Sequence, residues 1–173
     1  EMAKLAFICN VVIDEDKKTV AAFAGNFKTA HRKGVDFLSG YCAVKPAPAD
    51  IVITTNGGYP LDQNAYQCPK GMSAAEATVN DGGVIIMLAT CQDGHGGESY
   101  YHSIADAESA DAFFQQCLHT PQVETLPDQW CAQIWCRIVR KYKVLFVADK
   151  AQEQLIRDLK VEYFETLDEA YAR

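Results

Sequence analysis

Six apolar residues in a row, Val84-Ile85-Ile86-Met87-Leu88-Ala89, constrain this chain more than any other feature. An amphipathic strand or helix gives some positions to water, so a short uninterrupted run asks for burial on both faces, as in a central parallel strand. Ile51-Val52-Ile53, residues 144–148 and residues 161–164 read as further strands of the same kind. Segments of helical composition lie between them, at 107–118, 130–142 and 151–159. Ser73-Ala74-Ala75-Glu76 matches a capping box and predicts a short helix to about residue 80, followed by a turn at Asp81-Gly82-Gly83. Thr166-Leu167-Asp168-Glu169 is a second capping box, opening a terminal helix.

The start of the chain is different. Residues 5–13 and 19–24 are β-prone, and the charged stretch 14–18 separates them, so they read as an antiparallel hairpin. A helix is expected over 27–38, and Lys45-Pro46-Ala47-Pro48-Ala49 is a stiff connector, because proline denies helix and ladder hydrogen bonds alike. Repeated βα alternation implies a three-layer α/β fold: a mostly parallel, Rossmann-like sheet with helices on both faces, plus the N-terminal hairpin. Sites in such sheets gather beyond the C-terminal strand ends, which directs attention to the loops after Ile53, Ala89 and Ala148.

The bulk numbers narrow the function. A length of 173 residues suits one ordinary domain, and 49% hydrophobic with 23% charged content excludes wholesale disorder. A net charge of -7 argues against a phosphate-binding surface, so no nucleic-acid partner is expected. Seven cysteines without a Cys-x-x-Cys pair suggest free thiols in a reducing compartment. No run approaches the roughly 18 apolar residues that span a bilayer. A soluble, cytoplasmic protein without a membrane partner is the expectation. Glu1 precedes Met2, and a strand-like run begins at Leu5, which reads as a piece cut from a longer polypeptide.

Chemistry concentrates after Ile53. The segment from Thr54 to Gly71 carries Gly57-Gly58 and then Tyr66, Gln67 and Lys70 within five residues. On a helix these three share a face, and an ammonium beside an amide supplies N–H donors suited to a carboxylate. The competing reading is a solvated helix face. Pro69 complicates the geometry: either a helix ends near Cys68, or Pro69 opens a new one. Gly57-Gly58 and Gly94-x-Gly96-Gly97 lack the Gly-x-Gly-x-x-Gly pattern, and no Walker-type Gly-Lys-Ser/Thr occurs. Asp93, His95, Glu98 and His102 are spaced too loosely for a persuasive metal site. Cys68 has Lys70 nearby, a route to a lowered pKa, but no histidine base, so it reads as packing. Trp135 reads as core, whereas Trp130 follows the Pro127-Asp128-Gln129 loop and is equally suited to core or to closing over a ligand.

The segment from Thr54 to Gly71 resembles the C-terminal domain of the nickel-dependent lactate racemase family, through its Tyr66-Gln67-x-x-Lys70 element. Asn10-Val11-Val12, Ala22-Phe23-Ala24-Gly25, residues 81–86, Asp93-Gly94-His95-Gly96 and Asp128-Gln129-Trp130-Cys131-Ala132-Gln133 extend the resemblance over essentially the whole chain, 1–173, as one domain. It implies racemisation or epimerisation of a 2-hydroxy acid by hydride transfer to a nickel-pincer nucleotide. Position by position, Gln67 and Lys70 would bind the substrate carboxylate, while Tyr66 and Trp130 would line the pocket shared with the cofactor. The family's covalent lysine and its histidines lie in an N-terminal domain with no counterpart here. No catalytic residue, no metal ligand and no tightly held cofactor are therefore expected in this chain, which alone should be inactive. Two rival expectations are a non-catalytic homologue that binds a carboxylate or sugar acid, and a nucleotide-binding α/β domain.

Overall fold

In the computed structural model, which describes residues 4–173, the first strands form the expected hairpin. Strand β1 (Ile8–Ile13) pairs antiparallel with β2 (Thr19–Gly25), Asn10 opposite Phe23, with an irregularity at Val12 and Ile13. The connecting turn is closed locally, with the Lys18 amide donating to the Asp14 carboxylate at 2.9 Å and Lys17 taking φ 63. Helix α1 (Phe27–Cys42) begins at Asn26, whose side chain accepts from the Lys28 amide. It runs one turn past the expected end at Leu38. Phe37 explains the extension, because its ring lies 5.5 Å from Phe23 and 5.1 Å from Tyr41, rewarding another turn. These elements belong to a first unit that ends at Lys45.

The second unit, Pro46–Arg173, is built on four parallel strands in the order β3 (Ala49–Thr55), β4 (Val79–Leu88), β5 (Lys143–Val147) and β6 (Glu162–Phe164). Successive side chains of a strand point to opposite faces. Ile85 and Met87 accordingly enter the main core, while Ile86 enters a smaller one with Leu145 and Ala170. From Gly83 onward both faces of β4 are covered, which is why residues 84–88 never alternate. The larger core packs α2 (Cys68–Glu76), α3 (Glu98–Ala105), α4 (Ala110–His119), α5 (Gln129–Val139) and α6 (Glu153–Asp158) against the sheet. Helix α7 (Leu167–Tyr171) covers the other face through Leu167 and Ala170. Trp135 is fully buried among α3, α5 and β5, and its indole N–H donates to the Leu159 carbonyl at 2.9 Å. Among the described residues, no helix is long and apolar enough to cross a membrane.

Two further local expectations change, and one helix is new. The predicted helix from Ser73 starts earlier: Pro69 occupies the first turn of α2, where its missing N–H costs nothing, so Ser73 lies inside the helix and caps nothing. Asp81-Gly82-Gly83 does not separate two elements. It is an irregularity within β4, where the register with β3 jumps from Ala49–Val79 to Ile51–Val84. Helix α3 has no counterpart in the sequence reading. The box at Thr166 forms in full, with the side chains of Thr166 and Glu169 each accepting from the other's backbone amide.

Candidate functional site

Strand β3 delivers the chain to a loop that returns as a 3-10 turn, Ala65–Gln67, leading directly into α2. The loop after β4 holds this turn by its main chain. Cys91 and Asp93 donate from their amides to the Asp62 and Gln63 carbonyls, and Ala65 and Tyr66 donate back to Gly94 and His95, all at 2.8–3.0 Å. Gly96 makes the approach possible: at φ 77, a Cβ there would fall 2.4 Å from Asn64 Cγ. On the other side, the Gly71 amide donates to Asn56 Oδ1 at 3.0 Å, and Thr54 Oγ1 donates to the Gly71 carbonyl at 3.1 Å. The first turn of α2 is thereby tied to the end of β3.

On this support, Lys70 Nζ donates to Gln67 Oε1 at 2.6 Å, across the i,i+3 spacing. The Gln67 NH2 group and the remaining Lys70 protons are all donors, so the pair presents N–H groups toward whatever approaches it. Tyr66 stands beside them. Its hydroxyl donates to Asp128 Oδ1 at 3.0 Å, and its ring meets Tyr100 and Trp130 edge-on, with centroids 5.4 and 6.3 Å apart. Burial, reinforced by the Asp128 hydrogen bond, pushes the Tyr66 phenol up to about 12, so it is a hydrogen-bond donor at neutral pH.

Two cavities meet at Lys70. One, of about 350 Å³, is lined by Tyr66, Pro69, Lys70, Ser73, Trp130, Cys131 and Ile134, a mainly apolar wall. The other, of about 360 Å³, adds Asn56, Pro60, Leu61 and Gln63 to Gln67 and Lys70. Tyr66, Lys70 and Trp130 thus share one cavity, while Gln67 faces the second. Trp130 is 59% exposed, unlike the buried Trp135. A larger cavity, about 640 Å³, lies elsewhere, at the C-terminal ends of β3, β4 and β5 beside Asp62 and Asp149, and none of the four candidate residues lines it.

The other polar candidates sit apart from this constellation. Glu98 lies 3.6 Å from His95 Nε2 and 3.5 Å from His102 Nε2, and His102 Nδ1 is 3.2 Å from Asp106, so these groups pair along α3. Among the described residues, no three histidine, cysteine, aspartate or glutamate side chains come together as a metal site. Cys68 points inward, 4.0 Å from Cys91 Sγ. Its hydrogen bond with Cys91, then burial, raises its pKa well above the ordinary thiol range, the opposite of what Lys70 alone would do. Sequence reasoning overlooked Ser73, Cys131 and Ile134 as lining residues and Asp128 as the partner of Tyr66. Only Asp128 carried a signal, its place two residues before Trp130.

Comparison with known proteins identifies the family of the chain. A family profile described as the lactate racemase C-terminal domain matches residues 44–173. A lactate racemase from Lactiplantibacillus plantarum is 52% identical over 99% of this chain, which covers 41% of that protein. One from Thermoanaerobacterium thermosaccharolyticum is 49% identical over 97% of the chain, covering 39% of that protein. The solved structure of the lactate racemase apoprotein from the latter organism superposes with a TM-score of 0.89, at 49% identity, over 98% of this chain and 41% of that one. The chain thus spans about two-fifths of the length of the curated relatives it matches.

Proposed function

Since the chain belongs to the lactate racemase C-terminal domain family, we propose that it supplies the carboxylate grip and two pocket walls of a 2-hydroxy-acid racemase or epimerase. Gln67 and Lys70 bind the substrate carboxylate, and Tyr66 and Trp130 line the pocket. The observation that carries this reading is the 2.6 Å Lys70–Gln67 contact, set where two cavities meet and beside an apolar wall. A carboxylate accepting from an ammonium and an amide gains charge-assisted hydrogen bonds, and the apolar wall beside them suits the rest of a small organic acid.

Nickel-pincer nucleotide is the cofactor that the resemblance implies. The donor set fits it in part: Tyr66 and Trp130 offer faces and edges for a flat ring, but the pocket they line presents no imidazole or carboxylate to a nickel ion. The metal and the covalent link would therefore rest on residues of an N-terminal domain of the same polypeptide. When bound, that cofactor would supply a reversible hydride acceptor for the substrate α-carbon. This chain's residues hold the carboxylate throughout, so that the planar 2-keto acid stays placed while its two faces exchange. The Tyr66 phenol, held protonated, adds no negative charge to an anionic site.

The test uses the full-length, cofactor-loaded protein, with Lys70→Ala and Gln67→Ala. A hydrogen bond to a charged group contributes about 1.5–3 kcal/mol, so each variant should weaken 2-hydroxy-acid binding roughly tenfold to a hundredfold. Full activity and unchanged KM in both variants would refute the assignment.

A further inference from the structure

Asp128 is the first residue of the turn into α5, and it sits there at a cost. Its backbone adopts φ 60, ψ 3, a left-handed conformation that side chains other than glycine, asparagine and aspartate rarely take. An aspartate before a helix ordinarily accepts from the first-turn amides, yet this carboxylate makes no such bond. Only its carbonyl caps α5, accepting from the Cys131 and Ala132 amides at 2.9 and 3.2 Å. The carboxylate reaches across to a segment 62 residues away, where Oδ1 accepts the Tyr66 hydroxyl at 3.0 Å.

The loop around Asp128 is latched on both sides. Ser99 Oγ donates to the Pro127 carbonyl at 2.6 Å, and the side-chain oxygen of Gln129 accepts from the Leu126 amide at 2.9 Å. A little further on, Cys131 Sγ contacts the Tyr66 carbonyl at 3.5 Å. Asp128 is thus a fixed post that holds Tyr66 by its side chain and sets the direction of α5, and so of Trp130, by its backbone. The two rings arrive from separate segments and meet edge-on, 6.3 Å apart at 85°. Local conformational cost combined with a long-range side-chain contact is the pattern expected where geometry serves a site.

We propose that Asp128 is a positioning residue that fixes Tyr66 and Trp130 relative to one another as adjoining walls of the Lys70 pocket. This rests on the reading that those two rings wall the ligand site. The phenol's elevated titration, to about 12, is consistent with the contact.

The experiment uses the 173-residue chain and needs no activity, so a protein that racemised nothing would still give an answer. Asp128→Gly keeps the left-handed backbone and removes the carboxylate, Asp128→Asn keeps size and backbone tolerance and removes the charge, and Tyr66→Phe removes the donor. Tyrosine-ring carbon NMR follows the Tyr66 titration, identified by its absence in Tyr66→Phe. Both Asp128 variants should lower it from about 12, while burial keeps it above that of an ordinary phenol. The chain has two tryptophans, so two indole N–H signals report separately. The Trp130 signal should move in Asp128→Gly and Tyr66→Phe, should move no further in the double variant, and the Trp135 signal should stay in place. An unmoved Tyr66 titration in the Asp128 variants, an unmoved Trp130 signal in either Asp128→Gly or Tyr66→Phe, or additive shifts in the double variant would overturn the proposal.

Discussion

Replacing Gly71 by alanine sets two opposing effects against each other. In a helix interior, glycine to alanine usually stabilises by about 1 kcal/mol, because alanine loses less backbone entropy on folding. Here the new Cβ would lie 2.7 Å from Asn56 Oδ1 and 3.0 Å from the Thr55 carbonyl oxygen. The strand end cannot yield, so either Asn56 swings away or α2 lifts from β3. The first route breaks the Gly71–Asn56 hydrogen bond at 3.0 Å and the Asn56–Leu61 bond at 3.1 Å; the second breaks the Thr54–Gly71 bond at 3.1 Å. A net hydrogen bond contributes roughly 1 kcal/mol and overpacking costs roughly 1–3 kcal/mol, so the loss outweighs the propensity gain. Gly71→Ala should destabilise the second unit by about 1–4 kcal/mol, a fall of roughly 3–15 °C in Tm. Both tryptophans lie in that unit, so denaturant unfolding followed by their fluorescence reads it directly. A variant as stable as the parent, or more stable, would refute the claim that close approach at Gly71 fixes α2 against β3.

Thr166→Ala should cost about 0.5–2 kcal/mol by removing one arm of the capping box, and amide exchange should quicken first in α7. Trp135→Ala should cost about 3–5 kcal/mol in urea unfolding, since it empties the centre of the main core and strips the Leu159 carbonyl of its donor. The hydrogen bond from Tyr101, then that from Gln154, holds the Asp158 carboxyl below its ordinary range. That stabilisation is complete above the unfolded carboxylate pKa and disappears as pH falls through the depressed folded value. Asp158→Asn should flatten this acid-side loss in melts taken from neutral pH downward, and an unchanged acid slope would exclude the contact as its source.

The central strand was readable from the sequence because a strand buried on both faces has no polar positions, as 84–89 shows, whereas Ile51 and Ile53, which also read as buried, are exposed at the sheet edge. Helix starts were less readable. Ser73 and Thr166 carry the same capping pattern, yet only Thr166 caps, because Pro69 had already begun α2 upstream and propagation is easier than a second nucleation. Helix α3 buries only Tyr100 and Ile104, four residues apart, too brief a stripe to stand out beside its histidines and acids. Lys70 and Gln67 were legible as a pair because their contact is local, spanning three residues. The grip of Asp128 on Tyr66 spans 62 residues, and nothing local in either segment encodes it.

The loop after β4 meets the turn before α2 through main-chain amides and carbonyls on both sides. A junction written largely in backbone atoms asks little of its exposed side chains, provided Gly96 keeps its space beside Asn64, Gly94 its φ of 70 and Asp62 its bond from the Thr90 amide. Gln92 and Asp93 can therefore be exchanged with little effect on the platform beneath Tyr66, whereas His95 Nδ1 accepts from the Gly97 amide at 3.2 Å. Variation at Gln92 and Asp93 leaves the foundation of the site intact.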